Sequence, residues 1–395
     1  FSIQVGNGNI MAANAQLGTV DSNAAILQFG SGNEGYNTQT GTEAATALII
    51  QGGDDNDAAN AQNAVSDSFA AIAQFGKGNS AGNLQQNGSS NVAALIVQNG
   101  DDNEASNTQG GSADASLATF ALEALTGISL TGDAPASLSA AAIVQSGNDN
   151  QAANVQGGAI DAGVALDWIG IDVGATGIDV VAPAAASLAG IVQLGDDNEA
   201  YNTQLLTAGA ISAIVQNGDT NLAATAQTAV AGAVAATVQD GSTNEAFTTQ
   251  SLSALIAAGT LQSGTSNSAV TIQSGLTTSV ALTVQDGFDN GAQTSQTGSG
   301  QNSLILQQAD TSLANVLQTG SGNSSLVSQF GDTSIALIDQ SGFNQSSTVV
   351  QYGVGTFAGV GSLANVAAVT QSGGNNASFI VQAGRGNVAT VIQGN

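Results

Sequence analysis

The feature that most constrains this chain is a polar motif, Gln-x-Gly-x-x-Asn, that returns at nearly fixed intervals. It occurs 15 times, starting at Gln4, Gln28, Gln51, Gln74, Gln86, Gln98, Gln145, Gln193, Gln216, Gln239, Gln262, Gln285, Gln318, Gln371 and Gln382. A second Gln follows most of these motifs six residues after the Asn, so that two half-repeats of 11 and 12 residues give a period of about 23. From Gln285 onward the spacing tightens to 11. A fixed period of this kind indicates a repeat array in which each unit packs on its neighbours.

Alternation within each half-repeat indicates β-strands rather than helices. The half-repeats are too short for a packed helix with its turn, whereas Ala94, Ile96 and Gln98 fall on one face of an extended chain. Asn103 and Gln109 share a face in the same way after the turn. We therefore predict an all-β protein, a β-solenoid of stacked strand-turn-strand repeats whose two parallel sheets face each other with amyloid-like cross-β spacing. Residues 1–395 are predicted to form a single solenoid of about 15 rungs.

The recurring Gln and Asn are predicted to point into the solenoid and to stack on themselves. A buried amide without a partner costs about 1–3 kcal/mol, but amides stacked in register donate to one neighbour and accept from the other. The predicted ladder residues are Gln28, Asn33, Gln39, Gln51, Asn56, Gln62, Gln98, Asn103, Gln109, Gln193, Asn198, Gln204, Gln216, Asn221, Gln227, Gln239, Asn244 and Gln250. The predicted turn glycines, chosen because glycine tolerates positive φ, are Gly30, Gly53, Gly100, Gly195, Gly218 and Gly241.

Charge and composition exclude several classes of function. Lys77 and Arg385 are the only two cations against 29 acids, and the net charge of −27 argues against nucleic acid as a partner. The sequence has no Cys and no His, which excludes disulfides, thiol chemistry and His-dependent catalytic triads. No uncharged apolar stretch reaches about 18 residues, so we expect no transmembrane segment. The start "FSIQVG" has no initiator Met, and we interpret the chain as a mature, processed one.

The motif resembles the curlin repeat of bacterial curli fibres, Ser-x5-Gln-x-Gly-x2-Asn-x-Ala-x3-Gln. Residues 22–39, "SNAAILQFGSGNEGYNTQ", carry every element of that pattern except that Gly35 replaces Ala. The resemblance covers almost the whole chain, which is longer than the family's familiar subunits. It implies a secreted subunit that self-assembles into an amyloid-like extracellular fibre of biofilm matrix at the cell surface. It also implies export in an unfolded state and, as partners, secretion and nucleation factors.

Acidic residues collect between the Gly and the Asn of the motif. The residues considered as calcium ligands are Asp54, Asp55, Asp101, Asp102, Asp196 and Asp197. Two interpretations stay open: a hydrated acidic edge that keeps chains soluble, or a row of carboxylates that binds calcium, which prefers oxygen ligands. No other cofactor or metal is predicted.

Three insertions interrupt the repeat, at about 110–138, 157–186 and 352–365. The first two follow the same half-repeat on successive rungs and contain the only prolines, Pro135 and Pro183, so they should leave the same edge and pack on each other. They are interpreted either as extra strands that widen the solenoid or as an apolar flap for lateral fibre contact. The third is glycine-rich and is predicted to be a surface loop.

The motif runs close to both ends of the sequence, which predicts two sticky edges. The residues expected to take part in polymerisation are Gln4, Asn9, Gln382, Asn387 and Gln393. Because the two edges differ, the expected partner is another copy of the chain, bound head to tail in a homopolymer. The main alternative is a monomeric repeat adhesin or surface solenoid domain with capped ends. An enzyme is not predicted, since a β-helical lyase would need cations or clustered carboxylates outside the repeat. An ice-binding solenoid is also disfavoured, because its regular Thr row is interrupted.

Overall fold

The computed structural model describes residues 1–395 except 7–10, 87–88, 111–135, 138, 162–178, 183, 206, 332, 354–363 and 395. The described residues form β-strands and turns and contain no helix. The described residues therefore include no helix that is long and apolar enough to cross a membrane. The prediction of an all-β solenoid with two facing parallel sheets is confirmed.

The chain divides into two compact units, which are described separately. Unit 1 comprises Phe1–Val215 and Ala226–Ala229, and unit 2 comprises Gln216–Thr225 and Val230–Asn395. The boundary falls within β19 (Ile211–Asn217) and β20 (Leu222–Thr228). Each unit contains one sheet built from the strand that carries the motif Gln, called the first sheet, and one built from the strand that carries the second Gln, called the second sheet.

Unit 1 stacks seven strand pairs. Its first sheet is β1 (Ser2–Val5), β3 (Asn23–Ser31), β5 (Thr46–Asp54), β7 (Phe69–Lys77), β9 (Ala93–Asp101), β12 (Ala140–Ser146) and β17 (Leu188–Leu194). Its second sheet is β2 (Met11–Leu17), β4 (Glu34–Thr40), β6 (Asp57–Asn63), β8 (Ser80–Gln85), β10 (Glu104–Gln109), β13 (Gln151–Gln156) and β18 (Glu199–Leu205).

Unit 2 repeats the arrangement with seven further pairs. Its first sheet is β21 (Val234–Ser242), β23 (Ala257–Thr265), β25 (Val280–Phe288), β27 (Asn302–Asp310), β29 (Ser324–Phe330), β31 (Ser346–Tyr352) and β33 (Ala377–Ala383). Its second sheet is β22 (Glu245–Ser251), β24 (Ser268–Thr277), β26 (Gly291–Ser299), β28 (Leu313–Ser321), β30 (Ser334–Phe343), β32 (Asn365–Gly374) and β34 (Val388–Gly394).

Strand pairing in the two main sheets is parallel, and apart from a register shift between Ser274 and Thr277 of β24 each motif position lies beside its equivalent on the next rung. Gln28 pairs with Gln51, and Gln39 pairs with Gln62. Each strand points three residues into the interior, as in Ala47-Ile49-Gln51 of β5. The small Ala column lets the two sheets lie close together, and the long Gln lies next to the turn.

Of the predicted turn glycines, Gly195 and Gly218 lie in the bend after their strands, whereas the strand continues through Gly30, Gly53, Gly100 and Gly241 and makes the turn shorter there. Gly30 lies inside β3 with a φ of 112°, and it remains in register with Gly53 of the next rung. A side chain on Gly30 would collide with the carbonyl oxygen of Gly53. Glycine is therefore required here both by its φ and by the close approach of successive rungs. On these rungs the bend lies at the residue directly before the motif Asn, for example at Gly32 before Asn33.

The described parts of the first two insertions form additional strands. β11 (Ala136–Ser137) pairs in parallel with β16 (Ala184–Ala185), so the final segments of the two insertions run side by side. β14 (Gly158–Asp161) pairs antiparallel with β15 (Asp179–Ala182) inside the second insertion. The apolar residues on which the flap interpretation depends lie outside the described residues, as does most of the third insertion.

Candidate functional site in the amide ladders

Two continuous columns of glutamine amides run through unit 1. Each Gln Nε2 donates to the Oε1 of the Gln on the following rung, at distances between 2.6 and 3.0 Å. The first-sheet column is Gln4, Gln28, Gln51, Gln74, Gln98, Gln145 and Gln193. The second-sheet column is Gln16, Gln39, Gln62, Gln85, Gln109, Gln156, Gln204 and Gln227.

Unit 2 has the same two columns with the same direction of donation, at 2.7 to 2.9 Å. They are Gln216, Gln239, Gln262, Gln285, Gln307, Gln329, Gln351 and Gln382 in one column, and Gln250, Gln273, Gln296, Gln318, Gln340, Gln371 and Gln393 in the other. All the ladder residues predicted from the sequence are buried.

Backbone carbonyls fix the orientation of these amides and tie the two sheets together. Gln51 Nε2 donates to Glu34 O at 2.8 Å and to Asn56 O at 3.0 Å, in addition to its ladder bond. A carbonyl oxygen only accepts, so the atom that faces it must be the nitrogen. Glu34 belongs to the second sheet, and the Gln ladder therefore also bridges the interior.

The motif asparagines form a second kind of ladder that runs in the opposite direction. Asn56 Nδ2 donates backward to Asn33 Oδ1 at 2.9 Å, and the Asn56 N–H donates to the same oxygen at 3.1 Å. Asn56 Nδ2 also donates to Gly76 O of the following rung at 3.0 Å. Each Asn thus satisfies backbone groups that the bend takes out of the sheet. The column comprises Asn33, Asn56, Asn79, Asn103, Asn150 and Asn198 in unit 1, and Asn221, Asn244, Asn267 and Asn290 in unit 2.

A second asparagine column lies in the centre of unit 1, and the sequence analysis did not predict it as a ladder. It consists of Asn14, Asn37, Asn60, Asn83, Asn107, Asn154 and Asn202, joined at 2.8 to 3.1 Å. Asn60 Nδ2 donates backward to Asn37 Oδ1 and across the interior to Leu48 O at 2.9 Å. The signal that could have found it is an Asn two residues before the second Gln on every one of these rungs.

The last residue of this central column has a special partner. Asn202 Oδ1 accepts a hydrogen bond from Ser212 Oγ at 2.6 Å. Ser212 stands at the interior strand position that is Ala on the other first-sheet strands of unit 1, such as Ala94 and Ala141. One Ala-to-Ser difference therefore supplies the donor that the terminal asparagine needs.

The acidic residues of the motif have structural roles in the turn. Asp54 Oδ1 accepts from the Ser31 hydroxyl at 2.7 Å and from the Ser31 N–H at 3.0 Å on the preceding rung. These hydrogen bonds, with a smaller contribution from the charge of Lys77, hold the pKa of Asp54 below its usual range. Asp101 and Asp196 accept from backbone N–H groups in the same way, at 2.9 and 2.7 Å.

The second acid of each pair occupies the left-handed region of the backbone. Asp55, Asp102 and Asp197 have φ values of 56°, 55° and 56°. Asp is one of the few residues besides glycine that adopts this conformation readily. Within the described residues, no three Asp or Glu side chains come together in a group that could hold a metal. Calcium binding stays a prediction.

The motif that starts at Gln86 lies away from the ladders. Gln86 follows the end of β8, and the ladder passes through Gln85 instead. The motif that starts at Gln86 therefore matches the sequence pattern but its Gln is not part of the ladder.

Of the residues predicted for polymerisation, Gln4 lies on β1, Gln382 on β33 and Gln393 on β34. Asn387 lies in the turn between the last two strands, and Asn9 is outside the described residues.

Comparison with known proteins bears on the same repeat. A comparison with the curated proteins finds no match. The family model of the curlin associated repeat matches residues 310–342, which span β28, β29 and most of β30. The resemblance to the curlin repeat is thereby confirmed, and the chain carries a curlin associated repeat within a β-solenoid.

Proposed function

We propose that the chain is the structural subunit of a curli-like extracellular fibre, secreted to the cell surface, where it self-assembles head to tail in biofilm matrix. The curlin associated repeat supports a curli-like protein, and the amide ladders suggest how copies of the chain could join. The proposed role is structural rather than enzymatic. Secretion and nucleation factors are proposed as its other partners.

The observation that carries the proposal is the state of the ladder ends. On β1 and β2, the Oε1 atoms of Gln4 and Gln16 receive no donor from the described residues, while their Nε2 atoms donate inward. On β33 and β34, Gln382 Nε2 donates to Val366 O and Gln393 Nε2 donates to Ala377 O, and each retains a second N–H. One edge thus presents acceptors and the other presents donors.

This polarity selects one way of joining copies. Two identical edges would bring acceptor against acceptor or donor against donor, whereas opposite edges continue both Gln ladders. Contact between opposite edges is heterologous and does not close, so it propagates as a filament. The edge strands also expose large apolar side chains, including Leu17 at 71% and Ile392 at 77%. Their unpaired backbone groups would pair in the same contact.

Electron microscopy of the purified chain tests the proposal. We expect filaments in which the strands lie across the fibre axis, and discrete particles would favour the alternative, a monomeric adhesin. A folded polar domain fused directly after residue 395 should block one edge and shorten the filaments. The matched control carries the same domain on a long flexible linker, which leaves the edge accessible. Filaments of normal length from the directly fused chain would contradict head-to-tail assembly.

Charge repulsion should control the assembly rate. A net charge of −27 opposes association of copies, and salt screens this repulsion. We expect a shorter lag time in moderate salt than in dilute buffer. Calcium compared with sodium at equal ionic strength separates specific binding at the acidic turns from screening. Equal lag times in the two salts would remove calcium from the proposal.

A further inference from the structure

The interior of unit 2 contains a group of seven buried threonines, here called the threonine core. They are Thr225, Thr237, Thr248, Thr260, Thr271, Thr283 and Thr294. Thr237, Thr260 and Thr283 lie in register on the first sheet, and Thr248, Thr271 and Thr294 lie in register on the second. Two columns of hydroxyl groups therefore line the same part of the interior.

Most of these hydroxyls lack a protein partner. The Oγ1 atoms of Thr225, Thr237, Thr248 and Thr271 are buried and have no hydrogen-bond partner among the described residues. At the far end of the group, Thr294 Oγ1 lies 3.4 Å from Ser303 Oγ. A buried hydroxyl without a partner costs about 1–3 kcal/mol, and buried polar groups in folded proteins are paired with protein or with ordered water. Four such hydroxyls in one place point to water.

The space for water follows from side-chain size. In unit 1 the central pair of a rung is Ile with Asn, as in Ile49 and Asn60, whereas the threonine core pairs Thr237 with Thr248. The threonine pair has two fewer side-chain heavy atoms. Gln amides nevertheless bridge the two sheets at the same distance in both units: Gln62 Nε2 donates to Thr46 O at 3.2 Å in unit 1, and Gln250 Nε2 donates to Val234 O at 3.2 Å in unit 2. A buried water occupies about 30 Å³ and needs two to four polar partners, which facing hydroxyls on successive rungs supply.

We propose that the threonine core binds a file of buried water molecules, about one for each rung, held between the two hydroxyl columns. Each water bridges a first-sheet and a second-sheet threonine, and at the rung spacing of about 4.8 Å successive waters are held by the hydroxyls rather than by each other. The file stops where the interior becomes apolar at Ile305, Val316 and Val327, which offer a water no hydrogen bond. This inference concerns the interior and stands independently of fibre assembly.

Solid-state or solution NMR of the unsubstituted chain tests the proposal directly. We expect magnetisation transfer from water to the methyl groups of Thr248 and Thr271 to be at least several-fold faster than transfer to Val327 and Val349. These valines provide the internal control, because they are equally buried in the apolar interior of the same unit. Transfer to the threonines that is as slow as transfer to the valines would overturn the proposal.

Valine substitutions give a second test, in which the direction of the change in the urea midpoint decides. Thr248→Val and Thr271→Val keep the shape and remove the hydroxyl. If the hydroxyls hold water, each substitution deprives a bridging water of a partner, and we expect a lower urea midpoint. If the hydroxyls have no partner at all, valine removes a buried unpaired group and the midpoint rises. A raised midpoint in both variants would overturn the proposal.

Discussion

Unit 1 and the second half of unit 2 build the same rung around opposite kinds of interior. From β3 and β4 onward, the centre of each rung of unit 1 pairs an Ile with an Asn that is bonded along and across the interior, as for Asn60. In the second half of unit 2 the corresponding residues are aliphatic and form a continuous apolar cluster that includes Ile305, Val316, Val327 and Ile338. The Gln ladders have nearly the same length along the axis in both, and Gln amides cross between the sheets at similar distances, 3.2 Å from Gln62 Nε2 to Thr46 O and 3.0 Å from Gln329 Nε2 to Leu313 O. The Gln ladders are therefore compatible with either interior, and each central residue has to match its own neighbours along the axis.

The comparison also shows what each interior requires at its limits. A column of amides leaves one unsatisfied oxygen at its end, and Asn202 obtains its donor from Ser212. An apolar column has no such requirement, because a methyl group needs no partner. A column that contains both amide and aliphatic side chains should therefore be less stable than a column made of amides alone or of aliphatic side chains alone.

The largest expected effect comes from placing an amide in the apolar interior. Ile338→Asn puts an Asn between Val316 and Val369, where neither neighbour can donate to its Oδ1. Loss of apolar burial and an unpaired buried oxygen should together destabilise unit 2 by roughly 3–5 kcal/mol. Hydrogen exchange at β30 measures the loss locally. The control is Leu337→Asn on the outward face of the same strand, and equal effects of the two variants would contradict the comparison.

The reverse exchange should cost somewhat less. Asn107→Val removes the donor to Asn83 Oδ1 and the acceptor of Asn154 Nδ2, at a cost of about 2–4 kcal/mol that added apolar burial partly offsets. Hydrogen exchange at β10 is the measurement, with the outward substitution Ser106→Val as its control. Replacing Asn83, Asn107 and Asn154 together should cost clearly less than three times the single change. Additive costs would mean that the column does not act as a unit.

Removing the Ser212 hydroxyl, which bonds the last residue of the central asparagine column, should have a smaller effect. Ser212→Ala leaves Asn202 Oδ1 buried without its 2.6 Å hydrogen bond, and we expect a loss of about 1–2 kcal/mol in unit 1. The matched control is Ala141→Ser, which adds a hydroxyl at the same position of another rung, where the neighbouring Asn107 Oδ1 already accepts from Asn154. Exchange protection in β18 should fall in the first variant, and unchanged protection would show that Ser212 is dispensable.

The smallest expected effect concerns the outward charges of unit 1. Burial, and then the neighbouring Glu34, raise the pKa of Asp57 above its usual range, so its charged form weakens the folded state at neutral pH. Asp57→Asn should therefore stabilise unit 1 at pH 7 by about 0.5 kcal/mol or less, given the exposure of the site. The gain should disappear as the pH falls through the pKa of Asp57 and the carboxyl becomes protonated. Urea midpoints at pH 7 and pH 4 provide the measurement. A constant gain at both values would exclude a charge effect.

Sequence reasoning reached the fold because the repeat is visible residue by residue. Gln51 and Asn56 recur at spacings that only stacked short strands explain, and the structure agrees. The central column was harder to see, because its residue changes from Asn60 to Thr248 to Ile338 and only the position stays constant. The roles of the acids were also hidden, since Asp54 and Asp55 look alike in the sequence. The structure distinguishes them: an oxygen of Asp54 accepts from Ser31, whereas Asp55 has a backbone with a left-handed φ.

The opposite directions of the ladders have an electrical consequence. An amide that donates toward the next rung carries a dipole along the stacking axis, and aligned dipoles add as they do in a helix. In unit 1 two forward Gln columns are matched by two backward Asn columns, at the turn and in the centre. In unit 2 the central Asn column is absent, and two forward Gln columns face a backward turn column that contains Ser312 and Ser334 in place of Asn. The axial field of the side chains is therefore nearly cancelled in unit 1 and unbalanced in unit 2, with its positive end toward Gln382 and Gln393.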